Sequence, residues 1–151
     1  MNLNIPYMGT DNKLLNDAYR IAAGDIVGNI VYYQNGLLTE EKPCMIAGLD
    51  YNTPWTRDTA INIWNVLSIL SPEVSKNTLL AVLEEEEGNI YIGGQYWDSI
   101  IWMIGAREYC RFHKDDNFYR LAFEAGRNSV HRLEEDEFDE EDGLFRGPAV
   151  Y

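Results

Sequence analysis

Cysteine is scarce in this sequence, with only Cys44 and Cys110 among 151 residues. Two cysteines are too few for the disulfide framework that stabilises small secreted proteins. Cys44 follows Pro43 in a loop-like stretch, whereas Cys110 lies in a helical pattern. We therefore interpret both side chains as reduced thiols.

Basic residues are also few, with 12 lysines and arginines against 25 aspartates and glutamates, so the net charge is −13. Nucleic-acid binding depends largely on clustered basic side chains that neutralise phosphates. This charge balance argues against a nucleic-acid partner.

Long hydrophobic runs are missing as well. The longest run covers residues 100–106 and includes Gly105, far short of the ~18 residues that a membrane-spanning helix needs. The amino terminus has no basic start followed by an apolar stretch, so no signal peptide is expected. The sequence thus predicts no membrane association and a cytoplasmic location.

Apolar residues make up 46% of the chain and charged residues 25%, which is typical of a single globular domain over residues 1–151. The acidic residues are unevenly placed, with four at positions 84–87 and eight at positions 134–142. Such runs are usually solvated helix ends or mobile segments. We interpret residues 134–142 as an acidic linker-like segment.

Five segments have helical patterns and no segment has strand-like alternation of useful length, so the sequence predicts an all-α fold. The predicted helices cover about residues 11–34, 57–70, 71–88, 97–113 and 117–135. Asp11 and Thr56 are predicted N-caps, and Ser71-Pro72 is predicted to open the third helix. Asn35-Gly36 is predicted to end the first helix.

The predicted helices alternate in character along the chain. The first, third and fifth are amphipathic, whereas the second and fourth have few polar positions, as expected for helices buried on every side. The longer loops, residues 36–56 and 88–96, lead into the second and fourth helices. This order predicts a two-layer α/α toroid in which outer helices enclose inner ones and the long loops gather on one rim.

Both long loops end in aromatic and charged residues where a predicted inner helix begins. The first ends at Trp55, Arg57 and Asp58, and the second at Trp97 and Asp98. Aromatic rings pack on the apolar faces of sugars, while arginine and aspartate form charge-assisted hydrogen bonds to hydroxyl groups. These five residues are therefore candidate substrate-binding residues. The alternative for Asp58 is an acid favoured in the first helical turn, and for Trp55 a loop anchor packed on the core.

Other site chemistries are weaker. Cys110, His113 and His131 supply three possible zinc ligands, but a structural zinc site needs four. No Gly-x-Ser-x-Gly motif and no calcium-loop pattern occur. Gly93-Gly94 lacks the lysine and the Ser or Thr of a phosphate-binding loop. No metal or organic cofactor is predicted.

The segment Thr53-Pro54-Trp55-Thr56-Arg57-Asp58-Thr59-Ala60 resembles the Trp-Thr-Arg-Asp start of the second helix in glucoamylases and other six-hairpin glycosidases. Trp97-Asp98 and Asp142-Gly143-Leu144-Phe145 are similar in order and spacing. The resemblance implies an (α/α)6 toroid with a sugar pocket at the N-terminal ends of its inner helices. It also implies that Arg57 and Asp58 bind sugar hydroxyls and that Trp55 forms a pocket wall, with a looser correspondence for Asp98.

The sequence departs from the family pattern in two respects. Glucoamylases invert the anomeric centre and need a general acid and a separate general base. After Phe145 this chain continues Arg146-Gly147-Pro148, so no carboxylate stands where the family has its acid. Five predicted helices are also fewer than the twelve of a full toroid. The resemblance therefore implies the N-terminal portion of a toroid, inactive alone, with catalytic residues unknown.

The leading functional hypothesis is accordingly a glycoside hydrolase-like domain that binds a glycoside or oligosaccharide. The apolar edges of an incomplete toroid predict a homodimer or larger homo-oligomer. The alternative hypothesis is a non-enzymatic helical scaffold that binds a protein partner.

Overall fold

Five helices and three short antiparallel strand pairs make up the computed structural model of the protein, which describes residues 5–95 and 97–147. The first helical region is α1, Lys13–Gly28, followed by the strands β1, Ile30–Tyr33, and β2, Lys42–Met45. Helix α2 consists of Thr56–Asn62, a π-helical turn over Ile63–Leu67, and a last turn over Ser68–Leu70. The remaining elements are α3, Pro72–Ala81; β3, Leu83–Glu86; β4, Asn89–Ile92; α4, Asp98–Phe112; α5, Asp116–Glu137; β5, Phe138–Asp139; and β6, Leu144–Phe145.

The prediction of a mostly helical chain is confirmed, but the prediction that the chain has no strands is wrong. The first helix ends at Gly28 instead of residue 34, because Ile30–Tyr33 pairs with Lys42–Met45 as a hairpin. The β-branched and aromatic residues of Ile30–Tyr33 favour a strand. Gly36 lies in the hairpin connection with φ 59°, so Asn35-Gly36 is a turn signal between two strands, not the end of a helix.

The acidic run at residues 84–87 lies in a hairpin, and its predicted position at the end of a helix is wrong. Helix α3 ends at Ala81, and Leu83–Glu86 pairs with Asn89–Ile92. Glu87 and Gly88, between the strands, have φ values of 51° and 80°, as a two-residue hairpin turn of type I′ requires. The exposed carboxylates thus lie on a strand and its turn.

The helix caps follow the predictions in part. Ser71 caps α3, its Oγ accepting from Val74 N at 3.3 Å, and Pro72 opens the helix as predicted. The cap of α1 is Asn12 instead of Asp11. Thr56 does not cap α2, because its hydroxyl donates to the carbonyl of Gly93 at 2.8 Å. A threonine predicted to act locally therefore connects two distant segments.

The main core lies between α2, α3, α4 and α5. Its largest side chain is Trp102 of α4, which is fully buried and donates through Nε1 to the Leu79 carbonyl at 3.3 Å. Phe118 of α5 packs against Trp102, with ring centroids 6.4 Å apart. Helix α1 contributes no buried residue. The helices predicted as inner, α2 and α4, do carry many buried residues, but each also exposes isoleucines, including Ile61 and Ile104.

Helices α2 and α4 approach each other closely at Gly105. A Cβ added to Gly105 would lie 2.8 Å from the Cα of Ala60 and 3.0 Å from its carbonyl oxygen. Glycine is therefore required at this position for the two helix backbones to pack at their observed separation.

The acidic segment at 134–142 begins inside α5, which extends to Glu137, and continues into the β5–β6 hairpin. Arg146 forms ion pairs with Asp139 and Asp142 across this hairpin. These contacts neutralise part of the negative charge of the segment.

Both cysteines are free thiols. Burial raises the pKa of Cys44 to about 12, and burial followed by the charge of Asp115 raises that of Cys110. Raised pKa values disfavour the reactive thiolate. Over residues 5–95 and 97–147, no helix is both long and apolar enough to cross a membrane.

The α2–α4 contact generates a stability prediction. Gly105→Ala should lower the free energy of unfolding by about 1–3 kcal/mol, because the added methyl group collides with backbone atoms of Ala60. The matched control is Gly24→Ala in α1, where nothing lies within 4 Å of the added Cβ. The control should instead raise stability by about 0.5–1 kcal/mol. Urea unfolding followed by circular dichroism measures both, and equal effects would contradict the close approach.

A second prediction concerns Asp115, which caps α5 and accepts from Phe118 N at 3.0 Å. The Lys76 ammonium, 2.6 Å away, is the main cause that lowers the Asp115 pKa from 3.8. Because the folded-state pKa is depressed, this stabilisation is present above pH 3.8 and is lost as pH falls through the folded pKa. The stability difference between the native protein and Lys76→Met should therefore be constant near neutral pH and shrink below pH 3.8. Urea titrations across this range test the sign, and a difference that grows on acidification would refute it.

Candidate functional site

The loops that lead into α2 and α4 meet at an ion pair between Arg57 and Asp98. The distance from Arg57 Nε to Asp98 Oδ1 is 3.0 Å. The Asp98 side chain is only 5% exposed, whereas the Arg57 side chain is 45% exposed. The pair therefore joins a buried carboxylate to a guanidinium that remains accessible. Two residues 41 positions apart, both predicted as site residues, are thus brought together.

The loop before α4 is fixed by the other oxygen of Asp98, which accepts from Gln95 N at 2.9 Å. Gly94 lies beside this bond with φ 110°, and a Cβ there would lie 2.7 Å from Asp98 Oδ2 and 2.8 Å from Thr56 Oγ1. Both the backbone angle and the crowding demand glycine. Asp98 thus organises both loops, and each of its oxygens already accepts a hydrogen bond from the protein.

Trp55 is the residue immediately before α2 and is 44% exposed. Its ring contacts Tyr51 edge to face, with centroids 5.6 Å apart. A ring fixed on one edge and open on the other side offers an apolar surface to a ligand.

Trp55 lines a cleft of about 260 Å³ in front of the two loops. Asp98 contributes to its wall, together with residues from the turn after β1, from β3 and from the loop after β4. The polar side chains of the lining are Asn35, Thr53, Thr56, Glu84, Gln95 and Asp98. Among the described residues, the cleft therefore combines the aromatic ring of Trp55 with several hydrogen-bond donors and acceptors.

Two of the predicted residues lie elsewhere. Asp58 follows Arg57 in α2 and so points about 100° further round the helix, and it does not line the cleft. Trp97 is the residue before α4 and is 50% exposed, also outside the lining. The structure therefore brings Trp55 and Asp98 together in the cleft wall and joins Arg57 to it through Asp98. Arg57, Asp58 and Trp97 do not themselves line the cleft.

Glu84 and Gln95 are cleft residues that the sequence reasoning did not single out as site residues. The sequence pattern predicts that Glu84 belongs to a solvated acidic run. Only the position of Glu84 on β3 brings its side chain to the cleft. The turn Glu87-Gly88 followed by Ile90-Tyr91-Ile92 is the signal that could have revealed the hairpin.

A second cleft of about 220 Å³ adjoins the first and shares Glu84, Gly93, Gly94 and Gln95 with it. Its far wall is α5, where Arg132 stacks 3.4 Å over the ring of Tyr91 and forms an ion pair with Glu86 at 2.6 Å. The hydrogen bond that Arg132 donates to Glu86 raises the Arg132 pKa. Together the two clefts form a continuous trough along β3 and the loop after β4.

The residues considered for zinc have other partners. His113 Nε2 lies 2.6 Å from the Ser68 carbonyl, and His131 pairs with Glu134 at 3.5 Å. Among the described residues, no group of three or more His, Cys, Asp or Glu side chains is arranged to hold a metal ion.

Comparisons of the chain with protein families, curated proteins and solved structures find no match.

The Arg57–Asp98 pair yields a prediction for this site. Arg57→Gln should destabilise the protein by about 1–2 kcal/mol, because it leaves a buried carboxylate without its cation, while the exposure of Arg57 limits the effect. The control is Lys13→Gln, which removes the surface ion pair with Asp17 and should leave stability unchanged. Chemical denaturation at neutral pH measures both variants. Equal stability of Arg57→Gln and the native protein would contradict a structural role for the pair.

Proposed function

We propose that this chain is a carbohydrate-binding, glycoside hydrolase-like helical domain whose cleft holds a glycoside or oligosaccharide. The observation that carries the proposal is that Trp55 and Asp98 line one cleft where α2 and α4 begin, with the accessible Arg57 paired to Asp98. An aromatic face stacks on a sugar ring, while charged and amide groups hydrogen-bond its hydroxyls. The resemblance of the Trp-Thr-Arg-Asp segment to glucoamylases favours the same ligand class.

The polar groups of the cleft suit an uncharged polyhydroxyl ligand. Gln95 and Asn35 carry amides that both donate and accept, Thr53 has a hydroxyl that does the same, and Glu84 accepts. Because Glu84 and Asp98 are the charged lining residues and both are acids, an anionic ligand would be repelled.

Within this proposal, binding without hydrolysis is expected of the chain alone. Inverting hydrolysis needs two carboxyl groups about 6.5–9.5 Å apart, one as general acid and one as general base. Asp98 is occupied by Arg57 and Gln95 N, which leaves Glu84 as the cleft carboxylate without a protein partner among the described residues. Asp98 is therefore a positioning residue, and the catalytic residues stay unassigned.

The architecture proposed for this function is the N-terminal portion of an (α/α)6 toroid. The helix order supports it, with α2 and α4 packed together and long loops leading into both. Exposed apolar side chains on these helices, among them Ile61, Trp64 and Ile100, favour association into a homodimer or larger homo-oligomer.

A non-enzymatic scaffold that binds a protein partner is the second candidate. The observation in its favour is an apolar groove between α4 and α5 that shares no lining residue with the cleft and is lined by residues such as Met103 and Phe123. A sugar ligand would leave this groove untouched, whereas a helical partner would occupy it.

The two candidates are separated by NMR titration with a panel of neutral di- and oligosaccharides. Sugar binding should shift the indole resonance of Trp55 and the amides of Thr53 and Gln95. Trp55→Ala should weaken the affinity at least about tenfold, as expected for the loss of a stacked ring. The control, Trp64→Ala, removes a tryptophan of similar exposure (49%) that lies outside the cleft, and it should bind normally. No response to any sugar, or equal losses in both variants, would reject the proposal.

A further inference from the structure

Helix α1 presents an uncovered apolar face. None of its residues is buried, and Leu14 and Ile21 are 80% and 65% exposed. Leu14, Ala18, Ile21 and Ala22 recur at helical spacing on one side, and we call these four residues the α1 stripe. Asp25, also exposed and without an ion-pair partner among the described residues, follows on the same side.

A second uncovered apolar surface lies between α4 and α5. Two adjoining cavities of about 170 and 420 Å³ share Met103, Ala122 and Phe123 and form one groove, which we call the α4/α5 groove. Phe123 is 63% exposed and Tyr119 is 58% exposed along it. A shallow apolar groove of this kind fits the apolar face of an amphipathic helix.

Basic side chains without an ion-pair partner are concentrated near the groove, on elements that also carry acids. In the described part of the chain, the basic side chains without an ion-pair partner are Arg107, Lys114, Arg120 and Arg127. All four belong to α4, to α5 or to the link between them, in a chain of net charge −13. Arg107 and Arg127 line the groove directly. Glu134 lines the far end of the groove, so an acidic side chain is favoured specifically beside Arg107 and Arg127.

We propose that α1 of a second copy of this chain binds in the α4/α5 groove, with a two-fold axis making the exchange reciprocal. The proposal specifies the surfaces of the homodimer and does not depend on sugar binding. Helix α1 has 16 residues and is ~24 Å long, and the groove runs along α5 from Tyr119 to Glu134, ~22 Å. Because the contact occurs twice, both uncovered surfaces of both copies are used.

The alternative pairings of these surfaces are less favourable. Two grooves face to face would bring Arg107 and Arg127 of one copy against those of the other. Two α1 stripes face to face would leave Arg107 and Arg127 of both grooves without an acidic partner. When the α1 stripe packs against the α4/α5 groove, Asp25 lies among arginines. The small side chains of Ala18 and Ala22 then leave space for Phe123.

The first experiment measures mass by light scattering and sedimentation over a concentration series. The native protein should have twice the 17.4 kDa mass of one chain. Ile21→Glu and Phe123→Glu should each weaken the dimer at least about thirtyfold. Neither side chain is buried, so both variants should keep the native circular dichroism spectrum.

The competing apolar surface on α2 is tested by Ile61→Glu, which makes the same change at an exposed isoleucine. This variant should leave the dimer intact, because α2 is not part of the proposed interface. Dissociation by Ile61→Glu with no effect of Ile21→Glu would overturn the proposal while keeping the broader prediction of a dimer. A native protein that stays monomeric at about 100 µM would overturn both. The saccharide titration tests the sugar function separately from either result.

The second experiment uses Cys110, which lines the groove. Under mild oxidation at about pH 9, Ala18→Cys should form a disulfide-linked dimer with the Cys110 of the other copy. The combined variant Ala18→Cys/Cys110→Ser should lose this cross-link. A cross-link that persists in the combined variant would show that α1 stripes pair with each other, and it would overturn the proposed exchange.

Discussion

The contact between α2 and α4 is the constraint on which the candidate site depends. Gly105 allows the two helix backbones to approach at Ala60, and a helix pair that close has little freedom to slide or separate. Their N-terminal ends are therefore held side by side, which places Arg57 within 3.0 Å of Asp98. The ion pair is a consequence of this packing. Asp98 also accepts a hydrogen bond from Gln95 N, which fixes the loop before α4.

The cleft depends on the hairpins as well as on the helices. The β3–β4 hairpin extends from the end of α3 and is tied to α2 by the hydrogen bond from Thr56 to Gly93 and to α5 by the bond from Ile92 N to Ser129. These two hydrogen bonds hold Glu84 in the wall of the cleft that Asp98 also lines. A mostly helical protein thereby obtains a mixed polar and aromatic wall that helix ends alone would not supply.

The second organising feature of the molecule is the location of its unpaired basic side chains and of its exposed apolar side chains. Most basic side chains pair with acids, and those that do not are collected on α4, α5 and their link. Exposed apolar side chains are also found in the α1 stripe and along the α4/α5 groove. Exposed apolar area of this kind has a cost in water, which association between copies would remove.

The sequence by itself determined the five helices, the cap at Ser71 and the residues Trp55, Arg57 and Asp98, because helical periodicity, capping and clustered site chemistry are local signals. It did not determine the strands, since the acidic residues of β3 have no apolar alternation and a pairing partner is needed before they form a hairpin. Nor did it determine which candidate residues converge. Asp58 precedes α2 residues that face the core but does not line the cleft, whereas Glu84 lines it from a distant strand. Only tertiary packing decides such positions, because they depend on contacts between segments far apart in sequence.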